Sequence, residues 1–427
     1  MAQLVGKMLR HLLLLSYIYS AQSIHDQYIT VDSYLGYKVV RVIPKTQEQV
    51  EFLINLPEQF LDFWTEPGLY RNVDIMTNPE WFDDLAKELE FAQLTYSEII
   101  TDVQKIVDEE KMELERIKIV NEGNFSLFSY HEYPEIVAHL EFLAETIPEV
   151  EVEIIGQSWE GQEMVVLKIC KNGCGNKPAI WIDGGIHARE WISPATTLWT
   201  IHEVLNADPW FTESLDWYFL PVFNPDGYQF THEHTRLWRK TRSFHNSLLG
   251  CRGTDANRNF GYHWNEGGSS GDKCFDTYHG PEAFSEPETA NVRDFIMARN
   301  GTVKYYNNMH SYSQLVLLSW GYTTDPPPNY MEFVSNLPCS FYHKPMALPI
   351  VQYVISLPSN STIWASDWAL GEAGIPFSFS MELRDTGKHG FLLPPSFIEP
   401  VGKETWEFHK TVAMAILEEY KQFSTEI

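Results

Sequence analysis

Residues 179–206 read AIWIDGGIHAREWISPATTLWTIHEVLN. The run AIWID is apolar up to its last residue, which is typical of a buried strand, and the segment after the glycines continues into a helical pattern. A buried strand followed by a helix predicts an α/β unit. His187, Arg189 and Glu190 stand between these two elements. An imidazole, a guanidinium and a carboxylate do not stabilise a buried strand end, so we expect this turn to carry chemistry.

Strand-like runs alternate with helical segments from about residue 119 to the C-terminus. Ser193 and Pro194 fit the first positions of the helix that follows the quoted strand. The alternation predicts an α/β domain with a mostly parallel sheet and helices on both faces. Further buried strands are expected in LDWYFLPVF at 215–223, VKYYNNMH at 303–310, QLVLLSW at 314–320 and PFSFSMEL at 376–383.

Residues 24–116 have a different pattern, which predicts a small α+β domain with an antiparallel sheet. Strand-like YLGYKVVRVIP and RNVDIMT enclose the helical EQVEFLINLPEQF, and a long charged helical run follows over residues 97–118. Arg116 and Lys118 near its end make a plausible cleavage site for a trypsin-like protease, although an ordinary interdomain linker fits equally well. We therefore divide the chain into 24–116 and 117–427.

The first 23 residues resemble a secretory signal. Lys7 and Arg10 precede the apolar run LLLLSYIY, which is too short for a membrane anchor, and small residues follow it. The net charge of −27 over 427 residues argues against nucleic-acid binding, which needs clustered Lys and Arg. We expect a secreted, extracellular protein with neither a nucleic-acid nor a membrane partner.

Five cysteines in an exported chain predict disulfides and one odd thiol. Cys251 and Cys274 flank a polar, Gly-rich segment, and Cys170 and Cys174 flank a tight loop that could close on itself. Cys339 would then be left over, but the pairing does not follow from the sequence alone.

His187 and Glu190 can ligate one metal ion, because residues three apart in a tight turn can point to the same side. A catalytic zinc usually takes three protein ligands and keeps one position open. His310, at the end of the strand-like run VKYYNNM, would supply the third. A lone His-x-x-Glu is a weak signal, and the distant histidine strengthens it.

Arginines and one further carboxylate accompany the predicted ligands. Asn257 and Arg258 could clamp an anionic group of a substrate, although Arg258 could instead form a structural salt bridge. Asp255 could accept the second ring N–H of a ligating histidine. Glu382 ends an apolar strand, where a carboxylate needs a partner or a function, and beside a metal ion it could act as a general base.

Several motifs in the same order resemble the zinc metallocarboxypeptidases of the pancreatic A/B type, which are made as pro-enzymes with an N-terminal inhibitory domain. The resemblance runs from about residue 30 to the C-terminus. It implies an eight-stranded mixed sheet flanked by helices, a site at the strand ends, one zinc ion per chain, and activation by proteolysis. The motifs are GGIHAREWISP, NPDGY, RLWRKTRS, DANRNFGYHW, YHGPEAFSEPET, HSYSQ and ELRDTGKHGFLLP.

Most functional positions of that family have a counterpart here. The resemblance implies that zinc is held by His187, Glu190 and His310, and that Glu382 is the general base. Arg239 would stabilise the oxyanion, while Asn257 and Arg258 would hold the free C-terminal carboxylate of a peptide. It also implies a Cys251–Cys274 disulfide. Groove positions are matched by Arg189, Arg236, Ser311, Tyr312 and Phe391.

The sequence departs from the family in the lid loop. The family has a tyrosine eight residues before the Asp-Trp pair that matches Asp367–Trp368, and here Ser359 or Leu357 falls at that place. The nearby Tyr353 would need a longer lid. An inactive homologue that binds peptide ends or a partner protein therefore stays an alternative to an active exopeptidase.

Ser366 falls at the position that usually separates A-type from B-type specificity. It carries no charge, and the matching positions Leu317, Gly321 and Ser380 are apolar or small. An uncharged pocket cannot offset the desolvation of an ionised side chain. The sequence thus predicts removal of apolar or aromatic C-terminal residues, with B-type preference for basic residues as the alternative.

Overall fold

The computed structural model describes residues 33–57, 60–299, 301–323, 325–327, 352–353 and 364–425. The predicted signal, Cys339 and the lid positions Leu357 and Ser359 lie outside these ranges.

The N-terminal domain contains the predicted antiparallel sheet, with strand order β2-β3-β1-β4. Apolar side chains from this sheet and its helices form a separate small core, which includes Val40, Leu53, Ile75 and Leu89. Its elements are β1 (Lys38–Val42), α1 (Gln47–Ile54), β2 (Leu61–Phe63), β3 (Val73–Thr77), α2 (Phe82–Phe91), β4 (Tyr96–Ile100) and α3 (Val103–Val120).

The helical run expected from residue 97 was wrong at its start. Tyr96–Ile100 is strand β4 and pairs with β1, so cross-strand pairing overrides the local helical pattern. The helix begins only at Val103, after the Asp102 side chain accepts a hydrogen bond from the Lys105 backbone N–H at 3.0 Å. The predicted domain boundary at residue 116 lies within α3.

The second domain is built around a mixed sheet of seven strands plus a two-residue edge strand, in the order β11-β10-β12-β9-β7-β8-β6-β5. This confirms the predicted α/β class and the mixed, eight-stranded sheet. Its strands are β5 (Val150–Gln157), β6 (Glu163–Ile169), β7 (Ala179–Gly184), β8 (Asp216–Leu220), β9 (Val303–Ser311), β10 (Leu315–Leu318), β11 (Gln352–Tyr353) and β12 (Phe377–Leu383).

Helices cover both faces of this sheet because its strands are apolar on both sides. Core residues on one face pack against α4, α5 and α10, and those on the other face pack against α8 and α9. The helices are α4 (Tyr133–Thr146), α5 (Ile192–Asn206), α6 (Trp210–Ser214), α7 (Pro225–Glu233), α8 (Pro287–Met297), α9 (Ala365–Gly371) and α10 (Ile398–Thr425).

Strands β7, β9 and β12 run parallel to one another at the centre of the sheet, so their carboxyl ends meet at one edge. In open α/β sheets, ligand sites form at this edge. The register places Glu382 of β12 directly opposite His310 of β9. No helix among the described residues combines the length and the apolar character needed to cross a membrane.

The cysteines that the structure describes form two disulfides, Cys170–Cys174 and Cys251–Cys274. The first closes the tight loop after β6, and the second closes the Gly-rich segment. Both pairings considered from the sequence are thus found.

The turn between β7 and α5 is held by side chain to backbone hydrogen bonds. Helix α5 begins at Ile192, one residue earlier than predicted, so Ser193 lies in its first turn. The Ser193 hydroxyl accepts from the Gly185 backbone N–H at 2.9 Å and donates to the Glu190 carbonyl at 2.8 Å. These hydrogen bonds connect the end of β7, the turn that carries the predicted metal ligands, and helix α5.

Gly184 is predicted to be essential for this close approach. A Cβ atom there would lie 2.7 Å from the Ser193 carbonyl oxygen, which belongs to the backbone and cannot move away without distorting the helix. Gly184→Ala should lower the free energy of unfolding by about 1–3 kcal/mol. At Gly271 the added Cβ meets only His279, at 3.8 Å, so Gly271→Ala should change it by no more than about 0.5 kcal/mol. Urea unfolding of the full chain compares them, and equal midpoints would refute the crowding at Gly184.

Candidate metal centre and active-site cleft

The three predicted metal ligands come together at the carboxyl edge of the sheet. His187 and Glu190 lie in the turn after β7, and His310 is near the end of β9. Glu190 stands between the two rings, with its carboxylate oxygens 2.8 Å from His187 Nδ1 and 3.1 Å from His310 Nδ1. The two Nδ1 atoms are 3.1 Å apart, and all three side chains are buried.

The donor set fits a zinc ion. One ligand atom from each of the three residues lies within 4.8 Å of the others, and two imidazoles with one carboxylate are a usual protein set for catalytic zinc. Each histidine uses Nε2 for a second contact, so that Nδ1 can present its lone pair to a metal. His187 Nε2 lies 3.1 Å from Asp255 Oδ1, the outer-shell position that the sequence predicted for Asp255.

His310 is oriented through a longer chain of hydrogen bonds. The Trp181 indole N–H, which can only donate, donates to Asp183 Oδ2 at 2.6 Å. The Asn308 amide NH₂ donates to Asp183 Oδ1, which leaves the Asn308 carbonyl oxygen to accept from His310 Nε2–H. Trp181 and Asp183 therefore set the amide orientation of Asn308, and Asn308 in turn sets the tautomer of His310.

Charges around the ligands stabilise their metal-binding forms. Burial alone would raise the pKa of Glu190, but His187 and His310 hold it well below its ordinary value. Burial would likewise raise the pKa of Asp255, which Arg239 and His187 instead hold well below the usual range. Burial raises the pKa of Asp183 to about 6, although the Trp181 and Asn308 hydrogen bonds oppose this.

The predicted oxyanion and carboxylate groups lie beside this centre. Arg239 Nη2 donates to Asp255 at 2.8 Å, and its Nη1 is 4.0 Å from Glu190. Arg258 is fixed by the Gly268 carbonyl, 3.0 Å from its Nε. Asn257 accepts from the Ala365 backbone N–H at 2.8 Å, and its Nδ2 lies 3.2 Å from His310 Nε2.

Glu382 faces the same centre from β12. The titratable groups that act on it electrostatically include His310, Glu190 and Arg239. Burial, reinforced by the negative charge of Glu190, raises its pKa to about 8. A carboxyl group in such a place can take up and release a proton near neutral pH.

The five predicted groove residues are all in contact with the N-terminal domain or adjacent to the centre. Arg189 and Arg236 are both buried, so neither belongs to a solvated basic face. The Ser311 backbone N–H donates to Glu190 at 3.2 Å. Tyr312 donates to Asp74 of β3 at 2.6 Å, and Phe391 packs against Trp64.

Sequence reasoning missed the carboxylates that the N-terminal domain inserts into this cleft. Asp62 pairs with Arg189, Glu66 with Arg258, and Glu110 with Arg236. An acidic residue between apolar ones, as in LDFW, is the only local signal for Asp62. Their partners lie more than one hundred residues away in the chain, so no local pattern could have assigned the pairs.

The predicted specificity position Ser366 is buried at the start of α9. Its hydroxyl lies 3.0 Å from the Ser380 hydroxyl. Leu317 and Gly321 are buried nearby in the β10 region, and Gly321 N–H donates to Asp367 at 3.0 Å. The hydroxyls of Ser366 and Ser380 thus hydrogen-bond to each other.

A His-Glu-His set at this edge of an α/β sheet, with an acidic side chain opposite, defines a zinc hydrolase. Residues 136–408 match the family described as zinc carboxypeptidase, and residues 40–110 match the one described as carboxypeptidase activation peptide. The chain therefore belongs to the zinc carboxypeptidase family and is a metallocarboxypeptidase made with an activation peptide.

Named relatives and a solved structure agree with this assignment. Carboxypeptidase B of Astacus astacus is 44% identical over 301 residues, covering 68% of this chain and 98% of that protein. Carboxypeptidase A2 of Mus musculus is 37% identical over 403 residues, covering 89% and 94%. The crystal structure of carboxypeptidase A from Helicoverpa armigera has a TM-score of 0.81 at 30% identity, covering 90% and 98%.

Asn308 is predicted to tune zinc affinity through His310. Asn308→Ala removes the acceptor that fixes the His310 tautomer and should weaken zinc binding about 10–100-fold. Chelator competition on the purified chain measures this.

Asn307 is the matched control. It is the same residue type on the same strand, equally buried, and its amide has no hydrogen-bond partner in the part of the chain that the structure describes. Asn307→Ala should leave zinc affinity within about threefold of the parent, since it touches no part of the chain to His310. Equal zinc affinities for the two variants would refute the role of Asn308.

Proposed function

We propose that this protein is a secreted pro-carboxypeptidase that, once activated, removes single apolar or aromatic residues from the C-termini of peptides and proteins. The observation that carries this proposal is how the groups surround the His187-Glu190-His310 set. Glu382 lies opposite His310 in the sheet, Arg239 Nη1 is 4.0 Å from Glu190, and Asn257, which precedes Arg258, has its Nδ2 3.2 Å from His310 Nε2. A zinc site, a proton carrier and an anion clamp are together what C-terminal hydrolysis requires.

In the proposed reaction, bound zinc supplies a Lewis acid at the centre. Arg258, supported by Asn257, holds the terminal carboxylate, which limits cleavage to the last peptide bond because only a chain end carries that group. Glu382 takes a proton from the attacking water and delivers it to the leaving amine. Arg239 donates hydrogen bonds to the oxyanion that develops on the scissile carbonyl.

Glu382→Gln should retain zinc but lose about 10²–10⁴-fold or more in kcat, because an amide cannot carry the proton. Zinc content and hydrolysis of a blocked dipeptide by the trypsin-treated protein measure the two effects. Near-normal turnover would remove Glu382 from the mechanism. If the parent protein binds zinc but hydrolyses nothing, it is instead the inactive, peptide-binding homologue.

We further propose that the N-terminal domain inhibits the enzyme until a trypsin-like protease cuts near Arg116 to Lys118. Support comes from the carboxylates Asp62, Glu66 and Glu110, which cover arginines of the cleft. The side chains of Arg116 and Lys118 are 65% and 62% exposed, so a protease can reach them. The apolar segment near the N-terminus and the two disulfides support export.

The uncut full-length chain should therefore be nearly inactive on small peptides, and trypsin should raise its activity at least about tenfold, since the inhibitory carboxylates then leave the cleft. Mass spectrometry of the products locates the new N-terminus. An uncut chain that works as fast as the cut one would contradict the inhibitory role.

The specificity proposal depends on Ser366 and Ser380. Both are buried and uncharged, and their hydroxyls bind each other, so neither offers a counter-ion to Lys, Arg, Asp or Glu. The similarity to a protein named carboxypeptidase B keeps B-type specificity as the second candidate.

Among competing peptides that differ only in a C-terminal Phe, Leu, Lys or Glu, those ending in Phe and Leu should be hydrolysed fastest, because Ser366 and Ser380 cannot compensate a buried charge. Product analysis at low conversion gives the ratios of kcat/KM. Fastest removal of Lys would replace the A-type assignment with B-type.

A further inference from the structure

Each of three arginines that border the cleft is paired with a carboxylate of the N-terminal domain. Glu66 binds Arg258, Asp62 binds Arg189, and Glu110 binds Arg236. In the proposed function, Arg258 receives the C-terminal carboxylate of a substrate, so Glu66 occupies the place of a substrate anion. The other two pairs raise the question of which substrate groups replace Asp62 and Glu110.

Besides Asp62, Arg189 contacts the Leu237 carbonyl oxygen, 3.4 Å from its Nη1, and the Phe391 ring, whose centroid lies 4.2 Å from its guanidinium carbon. It is only 1% exposed, and its Nη1 donates to the two Asp62 oxygens at 2.8 and 2.9 Å. Its Nε and Nη2 are buried without a hydrogen-bond partner among the residues that the structure describes. Within the second domain, the nearest carboxylate to Arg189 is that of Asp276, at 3.8 Å. Removal of Asp62 would leave Asp276 as the counter-charge of Arg189, and at 3.8 Å that carboxylate is too far to accept a hydrogen bond.

Arg236 uses a two-pronged contact with Glu110. Its Nε and Nη2 donate to the two carboxylate oxygens at 2.5 and 2.9 Å, and its guanidinium lies 3.5 Å above the Trp191 ring. Its remaining donors are directed at the carbonyls of Arg189 and Phe391, each at 3.0 Å. Backbone contacts thus fix the guanidinium. When the N-terminal domain and Glu110 leave, the edge formed by Nε and Nη2 becomes free to bind another planar anion.

We propose that the activated enzyme prefers peptides with an acidic side chain a few residues upstream of the C-terminal residue, where it replaces Asp62 or Glu110. This inference rests on the proposed function. A side-chain carboxylate is favoured over a backbone carbonyl because only a carboxylate satisfies both N–H groups of an arginine edge and its charge.

The acidic character of the protein, whose net charge is −27 over the full chain, does not oppose this preference at close range. Repulsion between the protein and an acidic peptide acts over long distances and is screened within about 8 Å at physiological salt. The arginine contacts are short and enclosed, so screening reduces them much less. The preference should accordingly survive moderate salt.

The experiment uses peptides that end in the same apolar residue and carry Glu, Gln or Lys at one upstream position, moved one residue at a time. For at least one position we expect kcat/KM to be about tenfold higher with Glu than with Gln, as for one charge-assisted pair, and lowest with Lys. Binding of the same peptides to the Glu382→Gln variant, by calorimetry, should give the same order.

At the position where Glu is preferred, removal of the arginine that receives it should bring the Glu-to-Gln ratio toward one: Arg189→Gln if Glu takes the place of Asp62, or Arg236→Gln if it takes that of Glu110. An unchanged ratio in both variants would overturn the inference. The matched control is Arg293→Gln, which alters an arginine paired with the exposed Asp294 on α8 and should keep the parent ratio. Equal rates with Glu and Gln at every position, or fastest cleavage with Lys, would overturn the inference while leaving exopeptidase activity intact. Failure to hydrolyse or bind any peptide would refute the proposed function itself, and the inference with it.

Discussion

The structure depends on one constraint, which is that Glu190 is buried between two histidines. A carboxylate without a counter-charge in such a place would be strongly destabilising, and here the imidazoles of His187 and His310 provide the surroundings that keep it ionised. The side chains of His187, Glu190 and His310 form a zinc site because each histidine ring is held in place by an acceptor at its Nε2 atom. Asp255 contacts His187 Nε2 directly, whereas Asp183 orients Asn308, whose carbonyl oxygen contacts His310 Nε2. The parallel pairing of β7 with β9 makes the three ligands meet.

Much of this centre could be predicted from the sequence, because strand ends are marked locally. The first apolar run ends at a pair of glycines and is followed by a His-x-x-Glu motif, which predicts two of the ligands. A second strand-like run ends at His310 and predicts the third. Glu382 was predictable for the same reason. The family resemblance then supplied the roles of arginines such as Arg258, whose position beside the centre no spacing in the chain reveals.

The rest depends on how distant segments dock. Tyr96–Ile100 has a helical local pattern, yet it becomes a strand because β1 offers it a pairing edge. In the sequence, Arg236 belongs to a basic run that is typical of a surface, but in the structure Glu110 and Trp191 enclose its guanidinium. Asn308 stands in a polar strand end, but only the three-dimensional neighbours show that it works with Asp183 whereas Asn307 does not.

The contacts between the domains connect inhibition with recognition. The arginines that would receive an anionic substrate are the ones that the N-terminal domain neutralises, so the buried cations are stabilised before activation and available after it. An apolar cluster that joins Trp64 and Ile100 to Tyr312 and Phe391 adds area to the same interface. Cleavage of the connection would let substrate compete for these positions.

The most direct test compares a peptide with a free C-terminal carboxylate and the same peptide with a C-terminal amide. The trypsin-treated, zinc-loaded protein is incubated with each, and mass spectrometry follows the products. We expect loss of only the last residue from the free acid, no cleavage of the amide, and no reaction after a chelator has removed zinc. Internal cleavage, equal cleavage of the amide, or activity that persists without zinc would contradict a zinc exopeptidase that recognises the chain end through Arg258.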